Sequence, residues 1–340
     1  MLLEKMSSRK LNCVIIVLVT YLLSQNAHSE LQVGFYSYSC GMAEFIVKDE
    51  VTKSYNGNPG IAAGLVRMHF HDCFIRGCDA SVLLDSTPSN TAEKDSPANK
   101  PSLRGFEVID NAKARLEEMC KGIVSCADII AFAARDSVEL VSDLKTSKAR
   151  GLGYDVPAGR RDGRISLVSD TRTDLPPPTF NVNQLTQLFA KKGLTQEEMV
   201  TLSGAHTIGR SHCSAFSNRL YNFSATSRQD PSLDPSYAAL LKRQCPQGNT
   251  NQNLVVPMDP SSPGTIDAGY YSDILANRAL FTSDQTLLTN TETASQVNQN
   301  ARDPYQWASK LADAMVKMGQ IGVLTGNAGE IRTNCRVVNS

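Results

Sequence analysis

Apolar positions along this chain recur mostly at helical spacing. Between Phe106 and Met119 they fall at Val108, Ile109, Ala112 and Leu116, one stripe of a helix with a polar back. Ile123 to Arg135 is nearly all apolar, which predicts a central helix buried on every side. Ile61 to His71 reads as another helix. Two helix starts are visible in the local chemistry. Thr195-Gln196-Glu197-Glu198 is a capping box that opens a helix through Met199, Val200 and Leu202. Asp303-Pro304 places an N-cap and an N1 proline before the stripe Trp307, Leu311, Met315, Met318. Alternation at period two is scarce, so the predicted class is mainly α. Leu175-Pro176-Pro177-Pro178-Thr179 cannot continue a helix and reads as a linker.

The N-terminus has a different pattern. Lys5, Arg9 and Lys10 precede an apolar run from Val14 to Leu23 that only Thr20 interrupts, and Ala27-His28-Ser29 fits a small-x-small cleavage site. The run is short for a membrane span. It reads as a signal peptide over 1–29, with a mature chain from about Glu30 onward. Removing Cys13 from the nine cysteines leaves Cys40, Cys73, Cys78, Cys120, Cys126, Cys213, Cys245 and Cys335. An even number in a secreted chain predicts four disulfides, with the pairing left open. Asn222-Phe223-Ser224 is a glycosylation sequon, as expected of a secreted surface.

Composition adds exclusions. The 340 residues carry 34 Lys+Arg against 34 Asp+Glu, so neither a nucleic acid nor an anionic membrane is an expected partner.

The candidate chemistry begins at Arg67-Met68-His69-Phe70-His71-Asp72-Cys73. On a helix, Arg67, Phe70 and His71 share one face. Such a face can accept a proton and stabilise negative charge in one pocket. His69 and His71 also allow a metallohydrolase reading, although they point to different faces and no further His/Asp cluster completes a metal shell. A second element, Leu202-Ser203-Gly204-Ala205-His206-Thr207-Ile208-Gly209, sets His206 among small residues that would let a flat ligand approach the backbone. Taken singly, each histidine could be structural.

Taken together, Arg67-x-x-Phe70-His71-Asp72-Cys73 and Ser203-Gly204-Ala205-His206-Thr207 resemble the signatures of the secreted plant haem peroxidases (class III), and the spacing of the eight cysteines fits as well. The resemblance covers the mature chain. It implies a haem peroxidase domain over 30–340, with a distal helical lobe at 30–173, a proximal one at 179–340, and haem b between them. It implies that His206 is the axial iron ligand and that Asp284 accepts the other imidazole N–H, making His206 more basic. Read alone, Asp284 is a helix N-cap. His71 matches the acid/base for peroxide, which must start neutral, and Asn99 matches the residue that fixes its tautomer. Arg67 matches the group that stabilises charge as the O–O bond breaks, and Phe70 the shield that keeps bulky donors at the haem edge. Pro157 matches a residue lining substrate access; alone it is a turn proline.

The resemblance further implies two Ca2+ sites of oxygen ligands. One would use Asp72, Asp79 and Ser81, the carbonyls of Ile75 and Gly77, and Glu93 through water. The other would use Thr207, Asp259, Ser262, Asp267 and the Thr265 carbonyl. The implied disulfides are Cys40–Cys120, Cys73–Cys78, Cys126–Cys335 and Cys213–Cys245. One departure is the stretch 141–150, longer and more basic than the family's short glycine-rich connection; it reads as a surface loop or an altered substrate entrance. The expected activity is oxidation of phenolic donors by H2O2 in two one-electron steps, by a monomer in the cell wall, serving lignin or suberin formation, wall cross-linking and peroxide removal. A non-catalytic wall-binding protein of the same fold is the alternative, and a degenerate site would mark it.

Overall fold

The computed structural model describes residues 31–142, 152–249, 251 and 253–340. The expected signal peptide over 1–29 and most of the 141–150 stretch lie outside them. The described residues form thirteen α-helices and one small antiparallel ribbon, in which Arg210–His212 (β1) pairs with Val255–Pro257 (β2). The class is mainly α, as expected.

Four helices build the first half: α1 (Ala43–Gly57), α2 (Ile61–Ile75), α3 (Phe106–Met119) and α4 (Cys126–Val141). α4 is the buried central helix, but it begins three residues later than the apolar run. Ser125 is the reason: its hydroxyl accepts from the Asp128 N–H and caps the helix at that point. α2 also runs on beyond His71, to Ile75. Twelve of its fifteen residues are buried; the exceptions, Ala63, Arg67 and Phe70, follow one another at helical spacing. Leu65 and Met68 enter one hydrophobic core with α1, α3 and α4, while Ala62, Val66 and Phe74 enter the other. α2 is thus clamped between two cores, with a single strip left open.

The chain continues through α5 (Thr171–Asp174), α6 (Val182–Lys191), α7 (Gln196–Ser203), α8 (Ser217–Tyr221), α9 (Pro235–Gln244), α10 (Gly269–Leu275), α11 (Thr282–Gln285), α12 (Thr291–Arg302) and α13 (Pro304–Met318). The capping box at Thr195 and Glu198 opens α7, and Asp303 caps α13 ahead of Pro304. The proline stretch is more firmly held than a bare linker. Leu175 is buried, and the carbonyls of Pro177 and Pro178 accept from Phe180 N and Ser283 N. The larger core draws on both sides of this stretch, from Ala62 to Met318.

All four implied disulfides are present. Cys126–Cys335 spans 209 residues and fastens the C-terminal stretch to the start of α4. In the chain-entropy model a loop of that size stabilises by roughly 5 kcal/mol. Among the described residues no helix is long and apolar enough to cross a membrane.

Candidate active site

The open strip of α2 carries Arg67 and Phe70, with His71 beside them. Asn99 fixes His71: its Oδ1 lies 2.6 Å from His71 Nδ1, and its own amide nitrogen donates to the Glu93 carbonyl at 2.8 Å. The second bond sets which end of the amide faces the ring, so Nδ1 carries the hydrogen and Nε2 is left as a bare acceptor. Burial holds the imidazole pKa well below its ordinary value; the Arg67 charge lowers it further, and the Asn99 bond offsets only part of this. Arg67 donates to Ser102 Oγ and to the Ala98 carbonyl, both at 2.9 Å. The Phe70 ring meets His71 edge-on at 5.2 Å and Phe74 at 4.5 Å.

His206 faces this strip from the turn Gly204–Thr207 that follows α7. Its Nδ1 lies 2.8 Å from Asp284 Oδ1, leaving Nε2 free of hydrogen bonds among the described residues. Burial alone would lower its pKa, but the Asp284 carboxylate outweighs burial and raises it. The Arg67 charge lowers it as well, and Gly209, two residues past the turn, packs against Ala63 of the open strip, so turn and strip border one cleft. The imidazole still has 41% of its side chain exposed there. Asp284 lies inside α11, whose N-cap is Phe281, so it is not the cap that a local reading suggests. Close packing leaves no room for a side chain at two of the small residues near His206. A Cβ on Gly204 would lie 2.6 Å from the Trp307 ring, and one on Gly209 2.9 Å from Ala63.

Other expected residues are placed less simply. His69 is buried on the opposite side of α2, its Nδ1 3.6 Å from Cys73 Sγ. Burial, aided by the Arg160 charge, pushes it down to about 3. The structure therefore does not bring His69 and His71 together in one site. That overturns the metallohydrolase reading. Pro157 is on this same far side, lining a small space with His69, Tyr154, Arg160 and Met315. It is not brought to the cleft. Asn222 is exposed just after α8, beside a pocket of about 230 Å³ next to Cys213–Cys245.

Both sets of oxygen donors are assembled. Asp72, Asp79, Ser81 and Glu93 are buried together, and Ser81 Oγ donates to Glu93 Oε2 at 3.3 Å. Burial raises the pKa of all three acids; the Asp79 charge adds to the rise of Asp72 and of Glu93, which reaches about 8. Glu93 Oε1 is buried without a partner. Buried repelling carboxylates with an orphaned oxygen fit a divalent cation. The Ile75 and Gly77 carbonyls accept from Lys192 Nζ at 3.5 Å and Asp79 N at 2.7 Å. In the second set, Thr207 Oγ1 donates to Asp267 Oδ1 at 3.1 Å and to the Thr265 carbonyl at 3.4 Å, and Ser262 Oγ donates to Asp259 Oδ2 at 3.2 Å.

Sequence reasoning missed several contributors. Tyr270 donates to Asp284, Phe281 stands edge-on to His206 at 5.4 Å, and Ser102 anchors Arg67. Asp273 joins the second acidic group, where burial and the charges of Asp259 and Asp267 push it up to about 6. No local spacing marks any of them, because the fold alone brings Ser102, the helix that carries Tyr270 and Asp273, and Phe281 to these places.

Similarity to known proteins identifies the family. Residues 47–303 match the family model described as peroxidase. The chain is 72% identical to Peroxidase 5 of Vitis vinifera, over 95% of this chain and 96% of the relative. It is 50% identical to Peroxidase 3 of Arabidopsis thaliana, over 92% and 93%, and 49% identical to Peroxidase 1 of Zea mays, over 94% and 86%. The chain belongs to the peroxidase family, among its plant members of class III. It is accordingly an enzyme, a haem peroxidase, with hydrogen peroxide and a reductant as substrates.

Proposed function

We propose that this enzyme is secreted and oxidises small phenolic donors with H2O2, giving two phenoxyl radicals and two water molecules per peroxide. The observation that carries the reading is the contrast across one cleft: a histidine kept neutral by burial and Arg67 faces a histidine made basic by Asp284. The cleft fits haem b, since His206 presents a free Nε2 from a ring whose orientation Asp284 fixes. When bound, the haem supplies the iron at which the peroxide O–O bond is broken and through which donor electrons pass.

The chain's own residues manage the protons and the charge. His71 takes a proton at Nε2 from the inner peroxide oxygen and returns it to the outer oxygen, which leaves as water. Asn99 keeps Nδ1 protonated throughout, so that only Nε2 exchanges. Arg67, held by Ser102 and Ala98, stabilises the negative charge that grows on the departing oxygen. Phe70 narrows the space beside His71 and keeps bulky phenols at the cleft edge. Asp72, Asp79, Ser81 and the Ile75 and Gly77 carbonyls would hold one Ca2+, with Glu93 acting through water, and Thr207, Asp259, Ser262, Asp267 and the Thr265 carbonyl the other. Asp72 adjoins His71 and Thr207 adjoins His206, so each ion steadies one face of the cleft. Asn222 is the expected glycan site and a monomer the expected state, with wall polymer formation and peroxide removal as settings. The test is to trap radicals during turnover of the haem-loaded enzyme with a phenol. Two radicals per H2O2 support the reading; a donor oxidised without radicals, or not at all, overturns it.

A further inference from the structure

Asp284 is a buried carboxylate whose partners are unevenly shared. Oδ1 accepts two hydrogen bonds, from His206 Nδ1 at 2.8 Å and from the Tyr270 hydroxyl at 3.0 Å. Oδ2 is buried and has no partner, and among the described residues no Lys or Arg pairs with this carboxylate. Its negative charge is therefore balanced by two donors competing for one oxygen. In a dry site such bonds are strong and each weakens the other's share.

Tyr270 is well placed to compete. It is 5% exposed on α10, with its ring 5.0 Å from Tyr271 and 6.0 Å from the His206 ring. Burial, then the Asp284 charge, keep the phenol protonated far above its ordinary range, so its hydroxyl stays a donor. Tyr271, the next residue, is built into the same wall but turned elsewhere. Its hydroxyl donates to the Val200 carbonyl at 2.8 Å and the Thr201 carbonyl at 3.2 Å.

The geometry points to Tyr270 as a positioning residue that draws the negative charge of Asp284 away from His206, and so limits how electron-rich the iron ligand becomes. This rests on His206 as iron ligand and Asp284 as its partner. A proximal carboxylate with His206 as sole donor would pull harder on the Nδ1 hydrogen. The imidazole would gain anionic character and favour the more oxidised iron. Tyr270 divides that pull. His206 is kept basic without being driven to imidazolate.

The test compares haem-loaded Tyr270→Phe, Tyr271→Phe and the parent enzyme by redox titration and by resonance Raman of the reduced protein. In Tyr270→Phe the iron–histidine stretching band should rise in frequency. The oxidised-to-reduced ratio at fixed potential should increase roughly tenfold, or about 59 mV toward negative potential for one electron. Tyr271→Phe, which leaves Asp284 untouched, should move neither. Equal shifts in both variants would mean a packing effect, and a Tyr270→Phe potential that is unchanged or more positive would mean no competition; either overturns the inference. An iron–histidine band absent from the parent enzyme would overturn the underlying reading as well. A band that is present but unmoved in Tyr270→Phe overturns the inference alone.

Discussion

The two histidines of the cleft show how one fold makes the same side chain do opposite work. His71 sits on a helix clamped between two cores, and everything near it disfavours a second proton: burial first, then the Arg67 charge. His206 sits on a short turn with 41% of its side chain exposed; burial would still lower its pKa, but the Asp284 carboxylate reverses the outcome. Each Nδ1 meets an oxygen at nearly the same distance, 2.6 Å from Asn99 and 2.8 Å from Asp284. The partner's charge is the difference. A neutral amide orients a ring without making it more basic than burial permits. A carboxylate orients it and charges it. A proton shuttle needs the first arrangement and an iron ligand the second.

The comparison breaks most completely where its proton acceptor is removed. His71→Leu should slow peroxide reduction by about 10^4-fold while haem stays bound, as read by stopped-flow absorbance. Unchanged kinetics would remove His71 from the mechanism. Arg67→Leu should cost about 10^2- to 10^3-fold and also shift the pH profile. Arg67 helps to hold the His71 pKa down, and the active form is the neutral one. Without it that pKa rises, and the acid limb of the rate moves to higher pH; a limb moving to lower pH would contradict the assignment. Asn99→Val and Asp284→Asn should each cost about 10- to 100-fold. They differ in a second readout. Loss of the Asp284 charge should lower the His206 pKa in haem-free protein, measurable by NMR, whereas Asn99→Val should leave His206 alone. Calcium removal should have the smallest effect, a few-fold loss of activity with a change in iron spin state. Full activity and an unaltered spectrum after verified removal would mean that the acidic groups do not steady the cleft.

The two regions were also unequally legible. The His71 face could be read because Arg67, Phe70 and His71 lie within one turn of a helix, where sequence spacing is spatial spacing. The helix itself was underestimated at its end, since the apolar run goes on through Phe74 and Ile75 into the core. The His206 side could not be built that way. His206, Tyr270 and Asp284 come from a turn, α10 and α11, and only a resemblance linked the first to the last. Tyr270 stayed hidden because its hydroxyl acts through a fold-dependent contact. Gly204 has a use that local reading did not show: its missing Cβ makes room for Trp307, 103 positions along the chain. The capping box at Thr195 and the Asp303-Pro304 start were legible in full, because capping is settled within four residues. Pro157 is a motif position that the fold sets in the wall of a small space together with His69.

The central claim is that both histidines address one haem, with His206 holding it and His71 moving the peroxide proton. The most direct test is the absorption spectrum of the purified protein before and after one equivalent of H2O2, followed by a phenol. The account predicts a Soret band that weakens and shifts with peroxide and is restored by the phenol. A Soret band indifferent to peroxide, in protein whose His206 binds the iron, would contradict it.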